Sequence, residues 1–137
     1  MDCPRLNPFA ALGLASFFLH STLLATPLLH CQVTYAGTTH VIKATAVTDP
    51  YPVPSVDIGG RFRFKAVMVG STAQVDRILL YTYFDAMGRP ILIQEAKYLP
   101  PFEASAKPYP LTGEQHLYAG PAERELIYSC TLEGVQP

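Results

Sequence analysis

Apolar and polar residues alternate in short segments along most of the chain, which is the pattern of half-buried β-strands. The clearest segment is 61–69, in which every second side chain is apolar and the polar positions at its start are Arg61, Arg63 and Lys65. No stretch keeps the 3.6-residue period of an amphipathic helix for long enough to predict one. The seven predicted strands are 30–35, 40–47, 61–69, 77–84, 91–98, 115–118 and 125–132.

Short turn sequences join some of these strands into hairpins. Ala36-Gly37 separates the first two strands, and the segment 85–88, Asp-Ala-Met-Gly, separates the fourth from the fifth. An aspartate that opens a short loop and a glycine that closes it favour a type I turn with a following bulge. We therefore expect an all-β protein, an antiparallel two-sheet β-sandwich of immunoglobulin-like proportions with about seven strands. A small β-barrel is the alternative.

The first 25 residues have the features of a signal peptide. Residues 9–24 form an imperfect apolar stretch behind Arg5, too short for a typical membrane-spanning helix but long enough for the core of a leader. The small side chain of Ala25 provides a cleavage site. We therefore expect a signal peptide at 1–25 and a single domain at 26–137, located in the periplasm or secreted, with no transmembrane span in the mature protein.

Two other interpretations of this N-terminal segment stay open. It can remain as a membrane anchor, or Cys31 can carry a lipid. A lipid attachment site normally has a small residue directly before the cysteine, whereas this chain has His30 there. Cleavage without lipidation is the interpretation that we prefer.

Cysteine usage predicts one disulfide bond. Removal of the leader removes Cys3 and leaves Cys31 and Cys130, an even number in an exported protein. Both cysteines lie on the apolar faces of the first and last predicted strands. A bond between them closes a loop of about 100 residues, which the chain-entropy model equates with about 4–5 kcal/mol of stability. Two unpaired buried thiols are the alternative.

Composition and charge exclude some classes of partner. The chain is 49 % hydrophobic and 15 % charged, and its formal net charge is −1. Proteins that bind nucleic acid or anionic membranes usually carry a basic excess, and this chain has none. We expect no nucleic-acid partner.

Arg61, Arg63 and Lys65 form a basic row on one face of the third predicted strand. Side chains at alternate positions project about 6–7 Å apart, a spacing that suits phosphate or carboxylate groups. The row is therefore a candidate anion-binding site. The alternative is an outer face in contact with solvent, with acids such as Glu95 or Glu125 on neighbouring strands.

The fourth predicted strand is apolar on both faces, because Leu79, Tyr81 and Tyr83 alternate with other apolar residues. Either a loop covers one of these faces or the face binds a partner protein. Tyr51 and Tyr109 each lie between two prolines, which hold the chain extended. These five residues are the candidate partner-binding residues.

The sequence contains no motif that is typical of a catalytic or a metal-binding site. No nucleophile motif such as Gly-x-Ser-x-Gly occurs, so we predict no enzyme, no catalytic residue and no cofactor. His30, His40 and His116 are ligand types for copper or zinc, but their spacing matches no metal motif. We expect a non-catalytic binding or accessory module for another envelope or extracellular protein, and a periplasmic copper- or zinc-binding protein is the alternative.

We expect cleavage near Ala25, because a small residue follows the apolar core there. The intact mass of the protein recovered from its host tests this directly. A product that still begins at Met1 would contradict cleavage, and a product that begins at a lipidated Cys31 would replace it with the lipoprotein interpretation.

Overall fold

The computed structural model describes residues 24–137, and every regular element in that range is a β-strand. The all-β prediction is confirmed, and each of the seven predicted strands is present. Two short strands that the sequence did not predict, the third and the seventh, complete the set. The strands are β1 (Leu28–Tyr35), β2 (Thr38–Val47), β3 (Val56–Ile58), β4 (Phe62–Gly70), β5 (Val75–Ala86), β6 (Arg89–Tyr98), β7 (Tyr109–Pro110), β8 (Gln115–Ala119) and β9 (Arg124–Glu133).

The predicted signal peptide lies largely outside the described residues, which exclude 1–23 and with them Cys3. Residues 24–137 contain no helix that is long and apolar enough to cross a membrane.

The strands form one mixed sheet in the order β6-β5-β4-β2-β1-β9-β7, with β3 paired to β4 and β8 paired to β9. Strand β2 belongs to both halves of this sheet. Residues 38–45 pair antiparallel with β1, whereas Ala46 and Val47 pair parallel with Met68 and Val69 of β4. The sheet therefore curls strongly and stays open as a half-barrel. This differs from the two antiparallel sheets that the sequence predicted, because alternation shows which side chains are buried and not which strands are neighbours.

Two-residue turns close the β1–β2 and β5–β6 hairpins. Their central residues are Ala36 and Gly37 (φ 49° and 79°) and Met87 and Gly88 (φ 53° and 81°). Positive φ at both positions is the type I′ geometry, which matches the twist of the flanking strands. The second turn therefore differs from the predicted type I turn. The irregularity in this hairpin lies away from the turn, where the β5–β6 register shifts between Thr82 and Tyr83.

The main core lies on the concave side of the sheet and joins its two halves. Phe64 of β4 packs against Tyr128 of β9 with ring centroids 5.0 Å apart. The Tyr128 hydroxyl donates a hydrogen bond of 2.7 Å to Oε1 of Gln94 on β6, which satisfies that polar group inside the core. Burial raises the pKa of Tyr128 to about 12. The phenol therefore stays neutral, and a hydrogen-bond donor, to a higher pH than an exposed tyrosine does.

The predicted disulfide bond is confirmed. Cys31 and Cys130 lie directly opposite each other in the β1–β9 ladder, with a Cα–Cα distance of 4.1 Å, and both are buried. The bond joins neighbouring strands of one sheet and does not bridge two sheets. The same pairing brings the ends of the described chain together, where Gln136 Nε2 donates to the carbonyl oxygen of Ala25.

We expect Cys130→Ser to lower the free energy of unfolding by about 2–5 kcal/mol, because the cysteines are 99 residues apart and their bond restricts the unfolded chain. Chemical denaturation measures this loss. Reduced wild-type protein is the control and should unfold near the variant. Two free thiols per denatured, unreduced chain, or an unchanged midpoint in the variant, would contradict the expectation.

Candidate functional site

A second apolar cluster lies on the convex side of the sheet, opposite the main core. Val67 and Val69 of β4 and Leu79 of β5 are buried there. Val53, in the loop that follows β2, packs against them. Strand β5 is therefore covered on its convex face at one end by a proline-rich loop, which explains why Leu79 is only 8 % exposed.

Tyr81 and Tyr83 continue the same face beyond this cluster. Their rings are stacked, with centroids 6.4 Å apart and an interplanar angle of 24°, and both residues are half-buried. Tyr81 lies between Lys65 on β4 and Glu95 on β6 in the strand register. Lys65 Nζ is 5.8 Å from the centre of the Tyr81 ring, within the range of a cation–π contact. Burial, and then the charge of Glu95, raise the pKa of Tyr81.

The two proline-flanked tyrosines have different environments. Tyr51 is 89 % exposed in the loop that carries Val53, and its backbone N–H donates to Oδ1 of Asp49. Tyr109 lies on β7 against the main core, and its hydroxyl accepts from the backbone N–H of Glu103. We call the surface formed by Tyr51, Tyr81 and Tyr83 the tyrosine face, and the buried Leu79 precedes it on β5. The structure places Tyr109 apart from it.

A shallow groove of about 630 Å³ lies beside the buried valines of the convex face. It runs between the loop after β2 and the β4–β5 turn, and its lining includes Val47, Pro52, Val53 and Thr72. Val47 and Val53 also pack against the convex cluster. The groove therefore provides an apolar recess at the edge of that cluster.

Neither protein-family models, curated proteins nor solved structures gave a match. The function is therefore inferred from the geometry of the chain itself.

The three residues of the predicted basic row have different surroundings. Arg63 is already engaged, because its Nε donates to Oγ of Ser55 at 2.8 Å and its Nη2 to the Ser55 carbonyl oxygen at 3.3 Å. Lys65 lies over the Tyr81 ring, and Arg61 is exposed just before β4 begins. The three side chains therefore have three different environments.

The histidines named as weak metal candidates lie on different elements. His30 is in β1 opposite Lys43, His40 is in β2 opposite Val33, and His116 is in β8. Among residues 24–137, no group of three or more histidine, cysteine or acidic side chains is arranged to hold a metal ion. The buried Nε2 of His30 has no hydrogen-bond partner within this range.

His116 belongs to a surface cluster that the sequence did not reveal. Its Nδ1 lies 2.7 Å from Oε1 of Glu125, and its Nε2 lies 2.9 Å from Oε1 of Glu114. Tyr118 donates a hydrogen bond of 2.8 Å to the same oxygen of Glu125. Because both ring nitrogens face carboxylates, the doubly protonated ring is favoured and the pKa of His116 is raised, first by Glu125 and then by Glu114. The β8–β9 register brings Glu125 to His116 and Tyr118, whereas Glu114 lies two residues before His116 in the sequence.

We expect His116 to titrate above its ordinary pKa of 6.5 and Glu125→Gln to lower that pKa. A raised pKa in the folded state stabilises the protein below the unfolded-state pKa, and this contribution disappears as the pH rises through the folded-state pKa. An NMR titration of the ring measures it, with Glu123→Gln, at an exposed turn position, as the control. A wild-type pKa at or below 6.5 would contradict the contacts.

Proposed function

We propose that this protein is a small exported, non-catalytic module that binds another envelope or extracellular protein through the tyrosine face. One observation carries the proposal: Tyr81 and Tyr83 are stacked and half-buried on the convex side of β5, a strand whose other side forms the main core. Tyrosine offers a large apolar ring with a polar tip, and it is enriched among residues that anchor protein interfaces.

The rigidity of the face supports this role. Strand β5 is hydrogen-bonded to β4 on one side and to β6 on the other, so the two rings stand on the middle of a three-stranded unit. Stacking restricts the rings further. A partner therefore loses little of its binding energy to ordering these side chains.

Two features support an exported location. The Cys31–Cys130 bond is compatible with an oxidising compartment such as the periplasm or the extracellular space. The apolar segment before Ala25 has the pattern of a leader. No contact among the described residues favours the copper or zinc alternative over protein binding.

We expect Tyr81→Ala combined with Tyr83→Ala to weaken partner binding at least about thirtyfold, because truncation of an interface anchor costs about 2 kcal/mol or more. The immobilised protein is used to capture partners from an envelope extract, and captured amounts are compared with those of the variant. Tyr118→Ala is the control, since Tyr118 is an exposed tyrosine that lies on β8, away from this face.

Circular dichroism and thiol counting establish that the double variant keeps its fold and its disulfide. Equal capture of the same partner by a folded double variant would contradict the proposal. Equal loss in the Tyr118→Ala control would contradict the assignment of binding to this face.

A further inference from the structure

Strand β6 is the outermost strand at one edge of the sheet. Within residues 24–137 its one neighbour in the sheet is β5. In an antiparallel sheet, alternate residues of such an edge strand point both the N–H and the C=O away from the sheet. No backbone hydrogen bond outside the strand ladders of this range involves residues 89–98. The outer side of β6 is therefore a row of backbone groups whose natural partner is another strand.

The two halves of β6 differ in how well they can pair. In the first half, Pro90 has no N–H to donate, and the register shift between Thr82 and Tyr83 leaves Ile93 without a residue opposite it. Both features hinder regular pairing with a further strand. From position 94 to position 98 the register with β5 is unbroken. The second half is therefore a regular and open edge.

This second half carries one acid and one base on the same face. Glu95 lies opposite Tyr81 and Lys97 lies opposite Leu79, so both side chains are on the convex side, and both are exposed. The ion pairs shorter than 4.0 Å in the described part of the chain are both made by His116, so neither residue is in one. Charges of one sign would repel a second copy of this edge. One charge of each sign, two residues apart, is complementary to itself in the antiparallel direction.

We infer that a second copy of this chain pairs antiparallel with the open half of β6, with the two-fold axis at Ala96. In this register Glu95 of each copy lies opposite Lys97 of the other, and Gln94 lies opposite Tyr98. The pairing continues the sheet across two chains, with roughly four to six new backbone hydrogen bonds. It goes beyond the proposed function, because it uses the strand edge and not the tyrosine rings.

The charges and the sheet faces together select this register. A slip of one residue between the copies would bring the concave side of one to the convex side of the other. A slip of two residues would place Glu95 opposite Glu95, or Lys97 opposite Lys97, and like charges directly opposite each other destabilise a strand pair. The register centred on Ala96 avoids both penalties.

The pairing has a consequence for the tyrosine face. The two-fold axis runs perpendicular to the sheet, so the tyrosine faces of both copies point to the same side. Their β5 strands are three strand spacings apart, about 14 Å. A partner with two binding segments is then held by both faces at once, which raises its overall affinity without any new contact.

Sedimentation equilibrium of the disulfide-bonded protein tests the pairing. Because the paired stretch is short, we expect a weak, reversible dimer within a concentration series from about 10 µM to 1 mM. A protein that stays monomeric through the whole series overturns the inference.

Charge reversal tests the register. Glu95→Lys places lysine opposite lysine at two positions, and Lys97→Glu places glutamate opposite glutamate. We expect each variant to dimerise at least about tenfold more weakly than the wild type. An equimolar mixture of the two variants should recover the dimer, because every lysine then lies opposite a glutamate. The same holds for the chain that carries both substitutions. A mixture that stays monomeric overturns the inference.

The matched controls are Glu123→Lys and Lys107→Glu, which make the same changes in net charge at exposed positions outside β6. They should dimerise like the wild type, and an equal loss in them would overturn the inference, because net charge alone would then explain association. Circular dichroism and thiol counting establish that each variant keeps its fold and its disulfide.

NMR of a mixture of labelled and unlabelled protein locates the interface. We expect contacts between the copies at residues 94–98, and contacts confined to any other strand or to the tyrosine rings would overturn the inference. Tyr81→Ala combined with Tyr83→Ala should dimerise like the wild type, since neither ring lies at the edge. The proposed function and this inference therefore fail independently, one by partner capture and the other by sedimentation.

Discussion

The double pairing of β2 determines the shape of the whole domain. Most of this strand is antiparallel to β1, and its last two residues, Ala46 and Val47, are parallel to β4. One strand thereby joins the half of the sheet that contains the disulfide to the half that contains the tyrosines. The sheet then curls around its own concave core, and the convex side of β5 is left outside that core. The tyrosine face exists because of this curvature.

The loop between β2 and β3 contributes both to the packing of the domain and to the candidate binding surface. Val53 in this loop covers part of the convex cluster, and Tyr51 two residues earlier is almost fully exposed. Arg63 fixes the end of the loop through its two hydrogen bonds to Ser55. The same segment thus protects apolar surface from water and places an aromatic ring at its border. A site built in this way needs little rearrangement to bind.

Alternation of apolar and polar residues was sufficient to predict the seven longer strands, and also the pairing of Cys31 with Cys130, because both depend on local pattern and on cysteine count. It could not predict that β2 meets β4 in parallel, since strand neighbours depend on contacts between distant segments. Leu79 and Tyr81 were recognised as lying on a second apolar face, but the covering loop was not identified. The contact between His116 and Glu125 depends on the β8–β9 register, which no spacing in the sequence encodes.

The position of the disulfide has a mechanical consequence. Cys31 and Cys130 lie close to the two ends of the described chain, and both strands that carry them are central in the sheet. If the chain is pulled from both ends, the covalent bond carries the tension, and the segment between the cysteines is not stretched. Among the described residues, 24–30 and 131–137 lie outside the bond and can extend. The tyrosine face lies wholly within the shielded segment, so a protein tethered at both ends would keep this surface intact under load.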